Sequence, residues 1–360
     1  MSAVVGNQGA LAGLQGLRRS PGVWANAWKR LTEDRVGMIS LWIAGVYLVL
    51  VALAAVELVA KDWQREVGVP YAPPDFAGKQ ADATSSTESL APEGPNADLA
   101  ALDPLAARYA EWAERAAKLK TSELPKAETL PLGADRLGRD VLAKAIKGAE
   151  TSILVGLVAA LMATFIGTAL GAIGGYFGGR TDDFLEWVYN VFTSIPYILL
   201  VFAIAAVLKS GPLAGTVGSG IWAVTVILSV VGWTGIYRLM RAEYIKHRSR
   251  EYVLAAHAIG ASHASRIFVH ILPNVSHVAL VQLSLHVVSF IKAEVILSFL
   301  GLGVPVDAVS WGTMLAEAQT ELVLGKWWQL AAATAFMAVF VTAFSLLTDA
   351  VRDALDPKLR

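Results

Sequence analysis

The sequence predicts an all-α, polytopic membrane protein with six transmembrane helices and a long extracytoplasmic insert between the first two. Three observations carry this. Hydrophobic residues make up 55% of the 360-residue chain and mean hydropathy is +0.52, a membrane-like composition. A helix needs about 20 apolar residues to cross a bilayer, and six runs qualify. Met38–Val56, Thr151–Gly179, Trp187–Leu208, Gly211–Tyr237 and Trp327–Thr348 carry no charged residue, and Ile267–Ile291 carries histidines but no Asp, Glu, Lys or Arg. Finally, basic residues are unevenly shared among the loops, which sets orientation.

In chain order, residues 1–36 form an N-terminal segment with Arg18, Arg19, Lys29, Arg30 and Arg35. These place it in the cytoplasm. Polar residues follow the arginine pair where a twin-arginine signal needs an apolar core. Ser20-Pro21 reads as a helix start. Trp24, Trp28, Leu31 and Arg35 recur at helical spacing, as in an amphipathic helix lying on the membrane surface. The first span is expected at 37–60.

Residues 61–150 form the extracytoplasmic insert. Its stretch 77–98 is rich in Ser, Thr, Glu, Gly and Pro, which suits a linker. A helix is expected from Asp103-Pro104, with Leu105, Tyr109, Trp112, Ala116 and Leu119 on one side. That face must dock, either on the chain's own membrane domain or on an external partner. In "GADRLGRD" (133–140), Asp135/Arg139 and Arg136/Asp140 have the spacing of ion pairs along one exposed helical turn.

The core domain, 151–360, holds spans at 151–176, 187–208, 217–239, 275–299 and 327–349. Gly167, Gly171 and Gly175 form two overlapping GxxxG steps, which let two helix backbones approach closely. Pro196 should kink the third span, either to line a pathway or to shape packing. Lys292 and Glu294 sit deep in or at the outer end of the fifth span, Glu57 closes the first, and Asp349 closes the sixth. Each is either a snorkelling or bridging group or a functional one, and Glu294 is the pathway candidate besides Pro196.

The loop 240–273 carries Arg241, Lys246, Arg248, Arg250 and Arg266, against only Lys209 and Lys326 in the short loops opposite. It therefore shares the cytoplasm with both termini. Its stretch "EYVLAAHAIGASHASRIFVHILPN" reads as a helix, a glycine turn, a second helix, and a proline opening the fifth span. The six histidines, at 247, 257, 263, 270, 277 and 286, stand six or more residues apart. Seven helical residues span about 10.5 Å, too far for one ion, so no metal site is expected. No GxxxxGK[ST] occurs, so no nucleotide site is expected either. Cysteine is absent, which excludes disulfide and thiolate chemistry, and the zero net charge points away from nucleic acid. No Ser/His, Asp/Asp or HExxH set lies within the spans, so an intramembrane enzyme is disfavoured.

The loop carries a family likeness. "AAHAIGASHASRIFVHILPN" resembles the EAA motif of ABC importer membrane subunits, with Ala255, Ala256, Gly260, Leu272 and Pro273 in register, Leu254 replacing the glutamate and His270 the isoleucine. "LGADRLGRDVLAK", "GAETSILVGL", "GGYFGGRTDD", "AEVILSFLGLGV", "SWGTMLAEA" and "DAVRDALDPKLR" are similar to segments of the dipeptide/oligopeptide-type permeases. "VPVDAVSWG" departs from that family's pattern, and 62–130 lies outside the likeness.

The resemblance implies a type I-like importer fold in a bacterial cytoplasmic (inner) membrane. It implies a second permease subunit, two ATP-binding subunits that hold ATP and Mg, and an extracytoplasmic solute-binding protein. Membrane lipid surrounds the chain, which itself binds no cofactor and is not an enzyme. Leu254, Ala255, Ala256, Gly260, Ala261, Leu272 and Pro273 would couple it to the ATPase. Peptides are the expected substrate; nickel or another small solute, or ion-coupled secondary transport, are the alternatives.

Overall fold

A computed structural model describes residues 23–78, 108–118, 126–210, 220–305 and 307–355. The described chain is helical: α1 (Val23–Glu33), α2 (Arg35–Ala55), α3 (Tyr109–Lys118), α4 (Val141–Phe177), α5 (Gly179–Thr193), α6 (Tyr197–Ser210), α7 (Ile221–Arg248), α8 (Glu251–Ala258), α9 (His263–Phe299), α10 (Trp311–Val323) and α11 (Trp328–Leu355). Five of these, α2, α4, α7, α9 and α11, are long and apolar enough to cross a bilayer. The bent pair α5–α6 makes a sixth crossing if it counts as one span.

Local chemistry sets the ends. Asp34 caps α2 by accepting from Val36 N at 3.0 Å, and Asp140 caps α4 by accepting from Leu142 N at 2.8 Å. Ser310 and Thr313 form a reciprocal capping box on α10. Leu31 of α1 is buried and Trp28 is exposed, as an amphipathic helix requires; Ser20-Pro21 lies outside the described residues.

Several boundaries differ from the sequence reading: the fourth span, expected at 217–239, runs from Ile221 to Arg248, into the expected loop 240–273, and the sixth runs on to Leu355. The first span ends at Ala55, and Glu57 adopts φ +57° beyond it, paired with Lys61 at 3.7 Å. The second starts at Val141, not 151. Its 37 residues extend about 55 Å, well past the ~30 Å hydrocarbon layer. The expected single third span, 187–208, is instead two helices meeting at 93° around Ser194–Pro196. Proline lacks the N–H and crowds the preceding turn, so a kink becomes a break. The fifth span begins at His263 rather than 275. Pro273 sits inside its continuous helix because a π-helical turn, Arg266–Ile271, directly precedes it. The wider turn reroutes backbone bonds around the missing donor.

α4 is the axis. Its small residues pack on α7 along one side and on α9 along another. α2 lies against α11, where the Tyr47 O–H donates to the Phe336 carbonyl at 3.0 Å. Segments 66–74 and 127–140 clasp each other at one end of the bundle through isolated bridges, such as Val69 N to Ala127 O at 2.9 Å. On α3, Tyr109 and Trp112 are exposed, their rings 5.8 Å apart. Leu105 and Leu119, expected on the same side, lie outside the described residues.

Candidate functional site

At the opposite end of the bundle, α8 is held between α7 and α9. Eight residues make a helix that cannot persist alone, so its shape depends on anchoring. Val253 and Ala256 are its two buried residues, and Val253 packs in one cluster with Met240 and Tyr244 of α7 and Ile267, Ile271 and Val275 of α9. The Tyr244 O–H donates to the Ile267 carbonyl at 3.3 Å, linking α7 to the π turn. Gly260 ends α8 at φ +83°, a conformation that strains any side chain. Gly260 N bonds His257 O and Ala261 N bonds Ala256 O, both at 3.0 Å, closing a Schellman turn.

The outward face of α8 is Glu251, Leu254, Ala255, Ala258 and Ile259, at helical i, i+3, i+4, i+7 and i+8. Leu254 is 54% and Ile259 84% exposed, whereas Ala256 is 4% exposed. The structure thus divides the residues singled out in the loop. Leu254 and Ala255 face out, Ala256 faces in, and Gly260 and Ala261 form the turn. Leu272 is half-buried and Pro273 exposed at the base of α9. The surrounding histidines make local bonds: His263 Nδ1 lies 3.0 Å from the Tyr176 hydroxyl, and His247 Nδ1 lies 2.7 Å from the Tyr252 hydroxyl.

Gly167, Gly171 and Gly175 are all buried against α7. A Cβ at Gly171 would lie 2.7 Å from Tyr237 O, and one at Gly175 would lie 2.5 Å from Arg241 O. Beside them, Arg241 grips Asp182 of α5 through two bonds of 2.6 and 2.7 Å. Pro196 lies exposed at the α5–α6 break. Glu294 is fully buried among α4, α9 and α10, whereas Lys292 and Asp349 are exposed.

The sequence reading missed a buried ionic cluster at the insert end. "GADRLGRD" is not an exposed helical turn. Asp135 is fully buried in a tight turn, and Asp140 caps α4. Asp135 Oδ1 accepts from Leu137 N and Arg139 N, each at 2.9 Å, and Oδ2 accepts from Arg139 Nε at 2.7 Å. Lys144 Nζ, itself buried, donates to Asp135 at 2.8 Å, Glu317 at 2.6 Å and Gln329 at 3.3 Å. Arg136 N donates to Glu321 Oε1 at 3.2 Å. Only the Asp135/Arg139 spacing hinted at this; Lys144 is nearby in sequence, but Glu317, Glu321 and Gln329 are far away. Burial alone would raise the Asp135 carboxyl, but Lys144, Arg139 and the backbone N–H groups outweigh it and hold it below its ordinary value.

Glu321 goes the other way. Burial pushes its carboxyl up to about 7, opposed by the Arg136 N–H and Lys144 and aided by Asp135 and Glu317. The folded chain therefore keeps this proton between the ordinary 4.5 and about 7, whereas the unfolded chain loses it. This group's contribution to stability must fall as pH rises through that window. Glu321→Gln should raise the unfolding midpoint relative to wild type at pH 8 and not at pH 4.5. A difference of about 2 kcal/mol is expected across the window. Parallel pH profiles of the two proteins would refute the assignment.

The binding-protein-dependent transport system inner membrane component family matches residues 151–360. The dipeptide transport system permease protein DppC of Bacillus subtilis (strain 168) is 36% identical over 242 residues, 67% of this chain and 73% of that one. The oligopeptide transport system permease protein OppC of the same organism is 34% identical, over 67% of this chain and 76% of that one. Among solved structures, a chain of the MetNI methionine ABC transporter in inward facing conformations aligns with TM-score 0.48 and 16% identity, over 59% of this chain and 96% of that one, a likeness from which nothing further follows. With the family match spanning more than half of its length and relatives above 30% identity, the chain belongs to the binding-protein-dependent transport system inner membrane component family.

Proposed function

We propose that this chain is the membrane-spanning permease subunit of an ATP-driven ABC importer of di- and oligopeptides. Its partners are a second permease subunit, two ATP-binding subunits carrying ATP and Mg, and an extracytoplasmic solute-binding protein. The observation that carries the reading is the outward stripe of α8. Small and apolar side chains stand exposed on a short helix whose other face is locked to the ends of α7 and α9. Such a patch, rimmed by polar groups, suits a protein partner. A force on it passes directly into two spans. Relatives whose names are dipeptide and oligopeptide permeases support the substrate class. The basic loop residues support cytoplasmic termini and a cytoplasmic α8 in a bacterial inner membrane.

The exposed positions make the clean test, since Ala256→Arg would disturb the chain's own packing. Leu254→Asp with Ile259→Asp should leave insertion and unfolding midpoint unchanged. Peptide uptake by the reconstituted assembly should fall at least tenfold, and ATP hydrolysis should stop responding to peptide-loaded binding protein. Wild-type uptake from the double variant would remove α8 from the coupling path.

A further inference from the structure

We propose that the notch beside Gly235, between α7 and α9, is a subsite of the solute path in which His286 hydrogen-bonds the backbone amide of a passing peptide. The peptide assignment rests on the permease reading above. His286 stands near the middle of the apolar stretch 275–299 of α9. At that depth an ionisable side chain is costly and seldom faces lipid. Its ring is fixed on two sides. It stacks on Phe290, one turn further along, with centroids 5.2 Å and planes 11° apart. Nδ1 lies 3.4 Å from the Thr164 hydroxyl of α4, the one hydrogen bond of the ring among the described residues. Nε2 is left free.

α7 leaves room in front of that nitrogen. Gly235 is exposed, and a Cβ there would meet only His286 Nε2, at 3.9 Å. Gly232, three residues earlier, differs: a Cβ there would run into the Phe290 ring. Packing among the described residues demands the first glycine of this pair and not the second. The missing side chain at 235 opens α7 onto His286. Gln282 and Ser289, four residues before His286 and three after, continue the same edge of α9, half-buried and exposed respectively. A free ring nitrogen against hydrocarbon costs free energy, so the notch calls for water or a polar solute.

Imidazole and the peptide group suit each other. Nε2 is a donor in one neutral tautomer and an acceptor in the other. A peptide group offers both a carbonyl and an N–H, so it satisfies either form. It is also the group that peptides share whatever their side chains, which suits a path that must pass varied sequences.

The chain has no cysteine, so Gly235→Cys gives it a unique thiol. In proteoliposomes of the assembled transporter, a membrane-impermeant thiol reagent on both faces should label this chain. A mixed di- to pentapeptide pool, supplied with binding protein and ATP, should slow that labelling severalfold. No labelling would place the notch against lipid or the second permease subunit and overturn the proposal, whatever the wild-type uptake. Labelling that no solute slows overturns it too. His286→Phe keeps a stacked ring and loses both nitrogens. It should lower peptide uptake about fivefold with the unfolding midpoint unchanged, and His286→Asn, which keeps a donor and an acceptor, should recover part. Wild-type uptake by His286→Phe removes the hydrogen-bonding role. Labelling slowed only by a non-peptide solute keeps the notch in the path but sinks the peptide reading, and the amide assignment with it.

Discussion

Asp135→Asn should destabilise the chain by about 3 kcal/mol, because it strands a buried lysine. Asparagine keeps an oxygen for Leu137 N and Arg139 N, so the turn retains its cap. What it loses is the charge between Lys144 and Arg139, at 2.8 and 2.7 Å. Glu317 remains 2.6 Å from Lys144 and is partly exposed, which keeps the cost at the lower end of the range for broken buried pairs. Lys144→Met should cost as much by stranding Asp135, and the double variant should cost less than the sum. The pH dependence has a fixed sign. Asp135 titrates below its ordinary 3.8 in the folded chain, so its stabilisation is present above that value and is lost as pH falls through the lowered one. Denaturation of the purified chain in mild detergent reads all three variants. Additive losses would show that Asp135 and Lys144 do not act as a pair.

Gly171→Leu should prevent α4 from seating on α7. A Cβ alone would lie 2.7 Å from Tyr237 O, 2.8 Å from Met240 Cβ and 2.9 Å from Arg241 N. Two of these are backbone atoms that no rotamer change can move. The helices must separate, and the loss spreads along the face that also holds Gly167 and Gly175. A penalty of about 3 kcal/mol or more is expected, seen as a collapse in the monodisperse fraction after extraction. Gly45→Leu is the control, since nothing lies within 4 Å of a Cβ there. Equal behaviour of the two variants would mean that close α4–α7 approach does not hold the bundle.

Legibility in the sequence followed the range of the physics. The spans were readable because lipid leaves backbone groups no partner but their own helix, and that demand imprints uninterrupted apolar runs. Gly260 and the GxxxG steps were readable because absence of a side chain is itself the message. Helix ends were less so: α4 begins at Val141 because Asp140 caps it, and a cap competes locally with the apolar run that drew the eye to 151. Pro273 reads as a start and proves internal, because a π turn precedes it, and that turn's Ile267 and Ile271 are buried with Tyr244 and Val253, residues distant enough that periodicity does not report the contact.

Sequence by itself determined the membrane class, the number of apolar crossings when the bent pair is taken as one, and the glycine turn that closes α8. Tertiary structure alone decided which way each residue points and which distant charges meet. Ala255 and Ala256 are neighbours of one type, yet the first is exposed and the second buried beside Val253, which packs against both α7 and α9. Asp135, Lys144, Glu317 and Gln329 become one cluster because three helices and a turn converge there. Periodicity reports a helix and its apolar side; which neighbour that side meets is a property of the packed whole.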